Sequence, residues 1–259
     1  MQKTEMDLNG MKIPCVTLSA LVVGTGAAGY NAALRLRENG AEDIAVVTEG
    51  VCAGTSRNTG SDKQTYYKLS LSGDAPDSPF AMAKDFFGGK CVDGDPAYAE
   101  AALSVPSFSH LVSLGVPFPT TRYGEYVGYQ TDHDRGARAT SAGPLTSRLM
   151  TECLQKEAER QHIPVFDGYT AVRVLKQDGD AVGLLCYNGN PEGKEKPFTV
   201  FITPNIIFAT GGPAGAYADT VYPVGHHGAS GVLFEAGVKG KNLTEWQYGL
   251  ASVSPRWNV

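Results

Sequence analysis

The sequence predicts an α/β protein: a mostly parallel sheet backed by helices, with an antiparallel β-meander laid over it. Three observations predict it. The apolar run Leu21-Val22-Val23 leads straight into Gly24-Thr25-Gly26-Ala27-Ala28-Gly29 and then a helix-like segment, the strand–turn–helix order of a dinucleotide-binding βαβ unit. Residues 163–203 change from helical spacing to alternation. A further apolar strand, Ile206-Ile207-Phe208, ends in the small-residue turn Ala209-Thr210-Gly211-Gly212.

Along the chain, residues 18–23 read as a buried parallel strand. Gly24 permits the tight turn out of it, Gly26 lets backbone approach a pyrophosphate, and Gly29 lets the following helix pack close to the sheet. The helix N-terminus offers N–H groups and a positive dipole end to the phosphates. That helix spans residues 27–38, with Ala28, Ala32 and Leu36 on one apolar face and Asn39-Gly40 as its stop. Residues 44–48 form the second strand, and Glu49 follows it, twenty residues beyond Gly29. A carboxylate there accepts hydrogen bonds from ribose hydroxyls and repels a 2′-phosphate, which disfavours NADP.

Residues 50–140 read as a long insertion rich in Gly, Ser, Asp and Tyr, with helices at 78–87 and 96–114. A helix at 144–160 carries Leu145, Leu149 and Cys153 on one face. Strands follow at 163–166, 171–176, 181–187 and 198–203, with Asp178-Gly179 as a hairpin turn and 188–196 as an exposed turn. Ile206–Phe208 reads as a buried strand.

Composition excludes several classes. The 259 residues carry a net charge of −5 and show no Lys/Arg stripe, so no nucleic-acid footprint is expected. No apolar stretch approaches the roughly 20 residues of a membrane span, and residues 1–10 are polar, without a signal core. Five scattered cysteines with no C-x-x-C pattern argue against a disulfide framework or zinc site and fit a reducing cytoplasm. Cys52 reads as a buried structural thiol. No metal site is expected, because the adjacent His226 and His227 do not face one ion from a regular element. Ser141 and Ser147 lack a histidine at triad spacing. Residues 132–135 read as a polar loop. Tyr123, Tyr126 and Tyr129 read as packing or an interface.

Taken in order, these motifs resemble the flavoproteins of the succinate dehydrogenase, fumarate reductase and L-aspartate oxidase superfamily. Residues 54–61 resemble that family's small-residue loop after the second strand. Ala142-Gly143-Pro144-Leu145 resembles the segment before its meander. Ala236-Gly237, Asn242-Leu243 and Gln247 resemble the segment leading into its substrate-capping domain.

The resemblance implies a Rossmann-type domain with FAD as cofactor. Gly24, Gly26, Ala27, Ala28 and Gly29 would hold the pyrophosphate, and Glu49 the adenosine ribose. Thr55, Ser56, Thr59, Gly60 and Ser61 would line the flavin side. Ala171 or Val172 would meet adenine through the backbone, and Thr210 and Gly211 would pass the adenosine portion. By family position residues 225–229, with His226 and His227, would form a loop near the flavin, and Arg135 or Arg138 would lie near the substrate pocket and grip an anion.

The chain departs from the family in three places. No histidine precedes His110, so the covalent flavin link of membrane-bound members is lacking and FAD is expected to be non-covalent. Gln247 is followed by Tyr248, Gly249 and Leu250 where the dicarboxylate enzymes carry a histidine and proline, which disfavours succinate, fumarate or aspartate as substrate. The family's chains run far longer. The whole chain is therefore expected to be one incomplete FAD-binding domain, with 240–259 opening a cap region, and the catalytic residues in a C-terminal half or partner chain.

The expected activity is hydride transfer between a small organic substrate and FAD, with the protein supplying binding, orientation and electrostatics. Two other readings stay open: an NAD-dependent dehydrogenase, for which the glycine motif and Glu49 serve equally, and a non-catalytic flavin-binding subunit that needs a partner chain.

Overall fold

The computed structural model describes residues 1–60, 64–72, 76–90, 92–131, 136–189, 197–218, 222, 226–241, 243, 251–254 and 256–258. The elements are β1 (Gln2–Leu8), β2 (Met11–Thr17), β3 (Ala20–Val23), α1 (Ala27–Glu38), β4 (Ile44–Thr48), α2 (Thr55–Asn58), β5 (Tyr66–Tyr67), α3 (Pro79–Phe87) and α4 (Gly94–Ser113). They continue with β6 (Ala139–Thr140), α5 (Thr146–Arg160), β7 (Val165–Asp167), β8 (Tyr169–Gln177), β9 (Asp180–Asn188), β10 (Phe198–Ile202), β11 (Ile206–Phe208), α6 (Ser230–Glu235), β12 (Ala251–Val253) and β13 (Arg256–Asn258). Two compact units result: Met1–Asn58 with Leu154–Lys239 and Trp246–Val259, and Thr59–Cys153 with Gly240–Glu245.

In the first unit a parallel sheet has the order β11-β3-β4-β7, and a second sheet the order β1-β2-β10-β9-β8. Every residue of β3 and β4 is buried, as a parallel sheet covered on both faces requires. Alternation divides them. Leu21, Val23, Ala45 and Val47 pack in one cluster with Val16 and Leu18 and with Leu184, Cys186 and Phe201 of the second sheet. That burial pushes the Cys186 thiol up to about 12.

Helix α1 lies where the spacing puts it, but its buried residues are Gly29, Tyr30, Ala33 and Leu34. Of the expected Ala28, Ala32 and Leu36 face, Ala28 is exposed and Ala32 and Leu36 are half-buried. The register follows from Gly29, which must face the strand.

Hairpin β8–β9 turns at Asp178 (φ 54°) and Gly179 (φ 97°), the paired left-handed conformations of a type I′ turn. Asn9 (φ 52°) and Gly10 (φ 83°) make the same turn between β1 and β2, where the sequence reading notes only a polar terminus. Three further expectations need correction. The strand expected at 163–166 starts at Val165 and pairs with β4 in the parallel sheet; arriving after α5, it completes a parallel crossover. Strand β11 is half-buried rather than buried, because it edges its sheet. In α5 the buried stripe is Thr151, Leu154 and Ala158, while Leu145 precedes the helix and is exposed.

In the second unit, α3 begins at Ser78, whose side chain accepts from the Ala81 N–H, and packs on α4 through Met82, Ala83, Ala97 and Ala101. Phe108 gathers Tyr66, Phe118 and Tyr126. Of the expected tyrosine cluster only Tyr126 joins that packing, and Tyr123 is exposed. Lys68 is fully buried with its ammonium 4.9 Å from the Phe108 ring centre, and burial lowers its pKa.

Arg138 is the best-held charge of this unit. Its guanidinium donates Nε to Asp77 Oδ2 at 2.9 Å, Nη2 to Asp77 Oδ1 at 2.8 Å, and Nη1 to Asp85 at 2.7 Å and to the Tyr67 hydroxyl at 3.2 Å. The expectation that Arg138 grips a substrate anion is therefore corrected: two aspartates of its own chain occupy its fork. Arg135 lies outside the described residues.

Candidate cofactor site

The site starts from contacts that only glycine allows. Gly24 has φ +110°, and a Cβ on it would sit 2.5 Å from the Ala209 carbonyl oxygen. A Cβ on Gly29 would sit 1.9 Å from the Gly24 oxygen. Gly29 thus fixes the approach of α1 to β3, and Gly24 fixes the approach of the turn after β11. At Gly26 a Cβ would meet only Ser56 Oγ, at 3.1 Å, so that glycine serves an open face. Gly26, at the N-cap of α1, has no side chain to cap it, and the first turn carries no acid; of the leading amides, that of Ala27 donates to Ser56 Oγ. This leaves an anion-ready N-terminus.

The loop carrying Glu49 is tied to this turn by a residue the motif writes as x. Thr25 is buried; its hydroxyl lies 3.0 Å from Thr48 Oγ1 and donates to the Gly50 and Val51 carbonyls at 3.3 Å. Asp167, beside Thr48 in the sheet, accepts from the Val51 N–H at 3.0 Å. Glu49 itself is exposed at the end of β4. The loop expected at 54–61 contains a helical turn, α2, whose Ser56 hydroxyl accepts from the Ala27 N–H at 3.2 Å. Cys52 is exposed rather than buried, because it lies in this surface loop.

A third segment closes on the same place. The Ala209 N–H donates to the Val23 carbonyl at 2.8 Å, and the Thr210 nitrogen lies 3.5 Å from where a Gly24 Cβ would be. His226 then joins two segments of the cradle. Its Nδ1 is hydrogen-bonded to the Thr55 hydroxyl, its ring stacks on Tyr222 at 4.7 Å, and its Cε1 lies 2.9 Å from where a Gly211 Cβ would be. The resemblance implies a loop near the flavin here, but the pairing of His226 with Thr55 across 171 residues leaves no local signal. Burial and the neighbouring His227 hold the His226 imidazole below its usual range. Its neutral form is therefore favoured in the folded chain, and the stability it contributes is full above about pH 6.5 and lost as pH falls through the lower folded value. An NMR titration of the His226 ring is expected to give a midpoint below that of free histidine.

Val172 stands at a register shift in β8. The bulge leaves its backbone groups unpaired in the ladder. Thr59 and Gly60 fall in the second unit, where Gly60 faces Leu145 and Pro144. Ser61, Asn242 and Gln247 lie outside the described residues. A groove of about 840 Å³, lined by Leu36, Val174, Ile206, Phe208 and Leu233 among others, contains none of the cradle residues. Among the described residues no group of His, Cys, Asp and Glu is placed to hold a metal, and no helix is long and apolar enough to cross a membrane.

Residues 19–259 match the family model of the FAD binding domain. The chain belongs to this FAD-binding family. An L-aspartate oxidase of Mesorhizobium japonicum is 27% identical over 222 residues, covering 80% of this chain and 39% of that protein. A succinate dehydrogenase flavoprotein subunit of Coxiella burnetii is 26% identical over 244 residues, covering 88% and 40%. The chain thus spans about two fifths of the curated relatives it matches. The fold is similar to that of the Mycobacterium smegmatis Sdh1 complex in the apo form, with a TM-score of 0.74 at 20% identity over 86% of this chain and 39% of that one. It is also similar to a 3-ketosteroid dehydrogenase of Rhodococcus jostii, with a TM-score of 0.65 at 17% identity over 87% and 55%.

The residues present fit FAD. Three glycines clear the backbone around a helix N-terminus whose N-cap has no side chain, an acid follows the second strand, and small or hydroxyl residues line both approaches. These are the requirements of a pyrophosphate-linked dinucleotide.

Proposed function

We propose that this chain holds FAD non-covalently and forms the FAD-holding part of a cytoplasmic oxidoreductase that moves a hydride between an organic substrate and the flavin. The observation that carries it is the convergence of Gly24–Gly29, Thr55–Ser56, Thr210–Gly211 and His226 on one cradle, within a chain that belongs to the FAD-binding family. FAD supplies the hydride-accepting chemistry. The α1 N-terminus, through the Ala28 and Gly29 amides, would hold the pyrophosphate, and Gly26 would admit it to contact distance. Glu49 receives the ribose hydroxyls, and the unpaired backbone of Val172, with Ala171, meets the adenine edge. Thr55 and Ser56 line the flavin side. Arg57 or a neighbour stands where covalent members carry their histidine, and Arg57 donates to Gln155 at 2.7 Å. The reducing-compartment reading rests on the sequence, whose five scattered cysteines form no C-x-x-C pattern.

The test is an absorbance spectrum of the purified protein followed by acid precipitation. Flavin bands that pass into the supernatant, and run there as FAD, are the expected result. A colourless protein that takes up NADH, or flavin that stays in the pellet, would overturn the reading. A second reading is favoured by the two-fifths coverage of the relatives: the chain binds FAD but needs another polypeptide to complete a substrate site. Full turnover of candidate donors by the lone chain would exclude it.

A further inference from the structure

Strand β1 is the free edge of the five-stranded sheet, and it lies before residue 19, where the family match begins. It is seven residues long, and its register with β2 is unbroken from Gln2↔Thr17 to Leu8↔Met11. It contains no proline, and the described side chains from Gln2 to Asp7 are all exposed. A bulge, a proline and a covering element are missing from it among the described residues, and the devices left to guard it against indiscriminate pairing are the charges of Lys3, Glu5 and Asp7. A two-residue turn makes the flanking pair a hydrogen-bonded one. Since Leu8 and Met11 flank the turn, Leu8, Met6, Thr4 and Gln2 direct their backbone groups to β2. Lys3, Glu5 and Asp7 then direct theirs outward.

We propose that this edge pairs with the same edge of a second copy of the chain, antiparallel about a two-fold axis through Thr4. The charges select that register. The outward-bonding residues of two copies face one another in pairs. With Thr4 opposite Thr4, Lys3 stands opposite Glu5 twice. Shifting by one pair in one direction places Glu5 opposite Glu5 at the centre, and in the other direction Lys3 opposite Lys3. A further shift sets Glu5 against Asp7. Only the Thr4-centred register avoids a like-charge pair, and an isologous contact of this kind closes into a dimer instead of a fibre. Glu5 is available to take part, since its own-chain contact with Lys12, at 3.8 Å, is a loose pair between side chains 58% and 64% exposed.

The experiment is sedimentation of the untagged chain over a range of concentrations. A monomer–dimer equilibrium is expected. Lys3→Glu or Glu5→Lys alone should raise its dissociation constant about tenfold or more, from the loss of two cross-strand pairs and their replacement by like charges. The double variant Lys3→Glu/Glu5→Lys restores the pairing with signs reversed and should recover the dimer. An equimolar mixture of the two single variants should also dimerise, because a chain with carboxylates at both positions then faces a chain with ammonium groups at both. Unchanged melting temperatures confirm that each variant is folded. A chain that stays monomeric throughout, a dimer indifferent to the swaps, such as one formed through the apolar groove beside β11, or singles whose mixture stays monomeric would each overturn the proposal.

Discussion

Gly29→Ala is expected to destabilise the chain by on the order of 3 kcal/mol or more and to abolish cofactor retention. The added Cβ would meet the Gly24 carbonyl oxygen at 1.9 Å and its carbon at 2.8 Å. Both are backbone atoms of the turn between β3 and α1, so relief requires moving the helix off the sheet. Overpacking of ordinary cores costs about 1–3 kcal/mol, and here no flexible side chain is available to yield. Gly26→Ala provides the contrast. Its Cβ would meet only Ser56 Oγ at 3.1 Å, and a hydroxyl can rotate away. That variant should melt within a few degrees of the parent while losing at least about tenfold in FAD affinity, because the methyl stands where the phosphates must approach. Thermal melts with and without added FAD distinguish the two effects. Equal melting temperatures for Gly29→Ala and the parent would contradict the packing assigned to this glycine.

Arg138→Ala should cost the second unit on the order of 3–5 kcal/mol, the range for removing one partner of a buried pair. The side chains of Arg138 and Asp77 are 4% and 8% exposed, so the aspartate would be left buried without its fork. Arg138→Lys keeps the charge but not the two-pronged geometry and should fall between. Acid sensitivity follows. The Arg138 guanidinium holds Asp77 below the usual carboxylate range, so the folded value lies under the unfolded one. This contribution is complete above about pH 4 and is lost as pH falls through the depressed folded value. Urea midpoints taken from pH 7 downward should therefore drop for the parent in a window below pH 4. In Arg138→Ala that drop should be much smaller.

The parts legible in the sequence are local. Strand β4 and helix α1 fall on the expected residues, because the glycine turn, the Asn39-Gly40 stop and the all-apolar strand are each encoded within a few positions. The facing of α1 is not legible, since alanines at both candidate stripes carry no directional signal and one backbone contact at Gly29 decides it. Strand β7 reads as part of the meander because its pairing with β4 is set by the crossover through α5, which no local pattern reports. The hairpin of β1 and β2 does carry a usable signal, Asn9-Gly10 between alternating residues. In the cradle the glycines and Glu49 are legible from spacing. Thr25 is not, because the motif treats it as variable, yet its hydroxyl fastens the loop that bears Glu49. His226 reaches Thr55 only through the tertiary fold. Family position suggests Arg138 as an anion grip, and the sequence hides its aspartate partners because they lie 61 and 53 residues away.

The central claim is that the cradle around Gly26 binds FAD. Titration calorimetry of the flavin-free chain with FAD, and separately with NAD, against the parent and Gly26→Ala tests it most directly. The account predicts saturable FAD binding by the parent, markedly weaker binding by Gly26→Ala at an unchanged melting temperature, and little heat from NAD. Equal FAD affinity in the two proteins, or a preference for NAD, would contradict it.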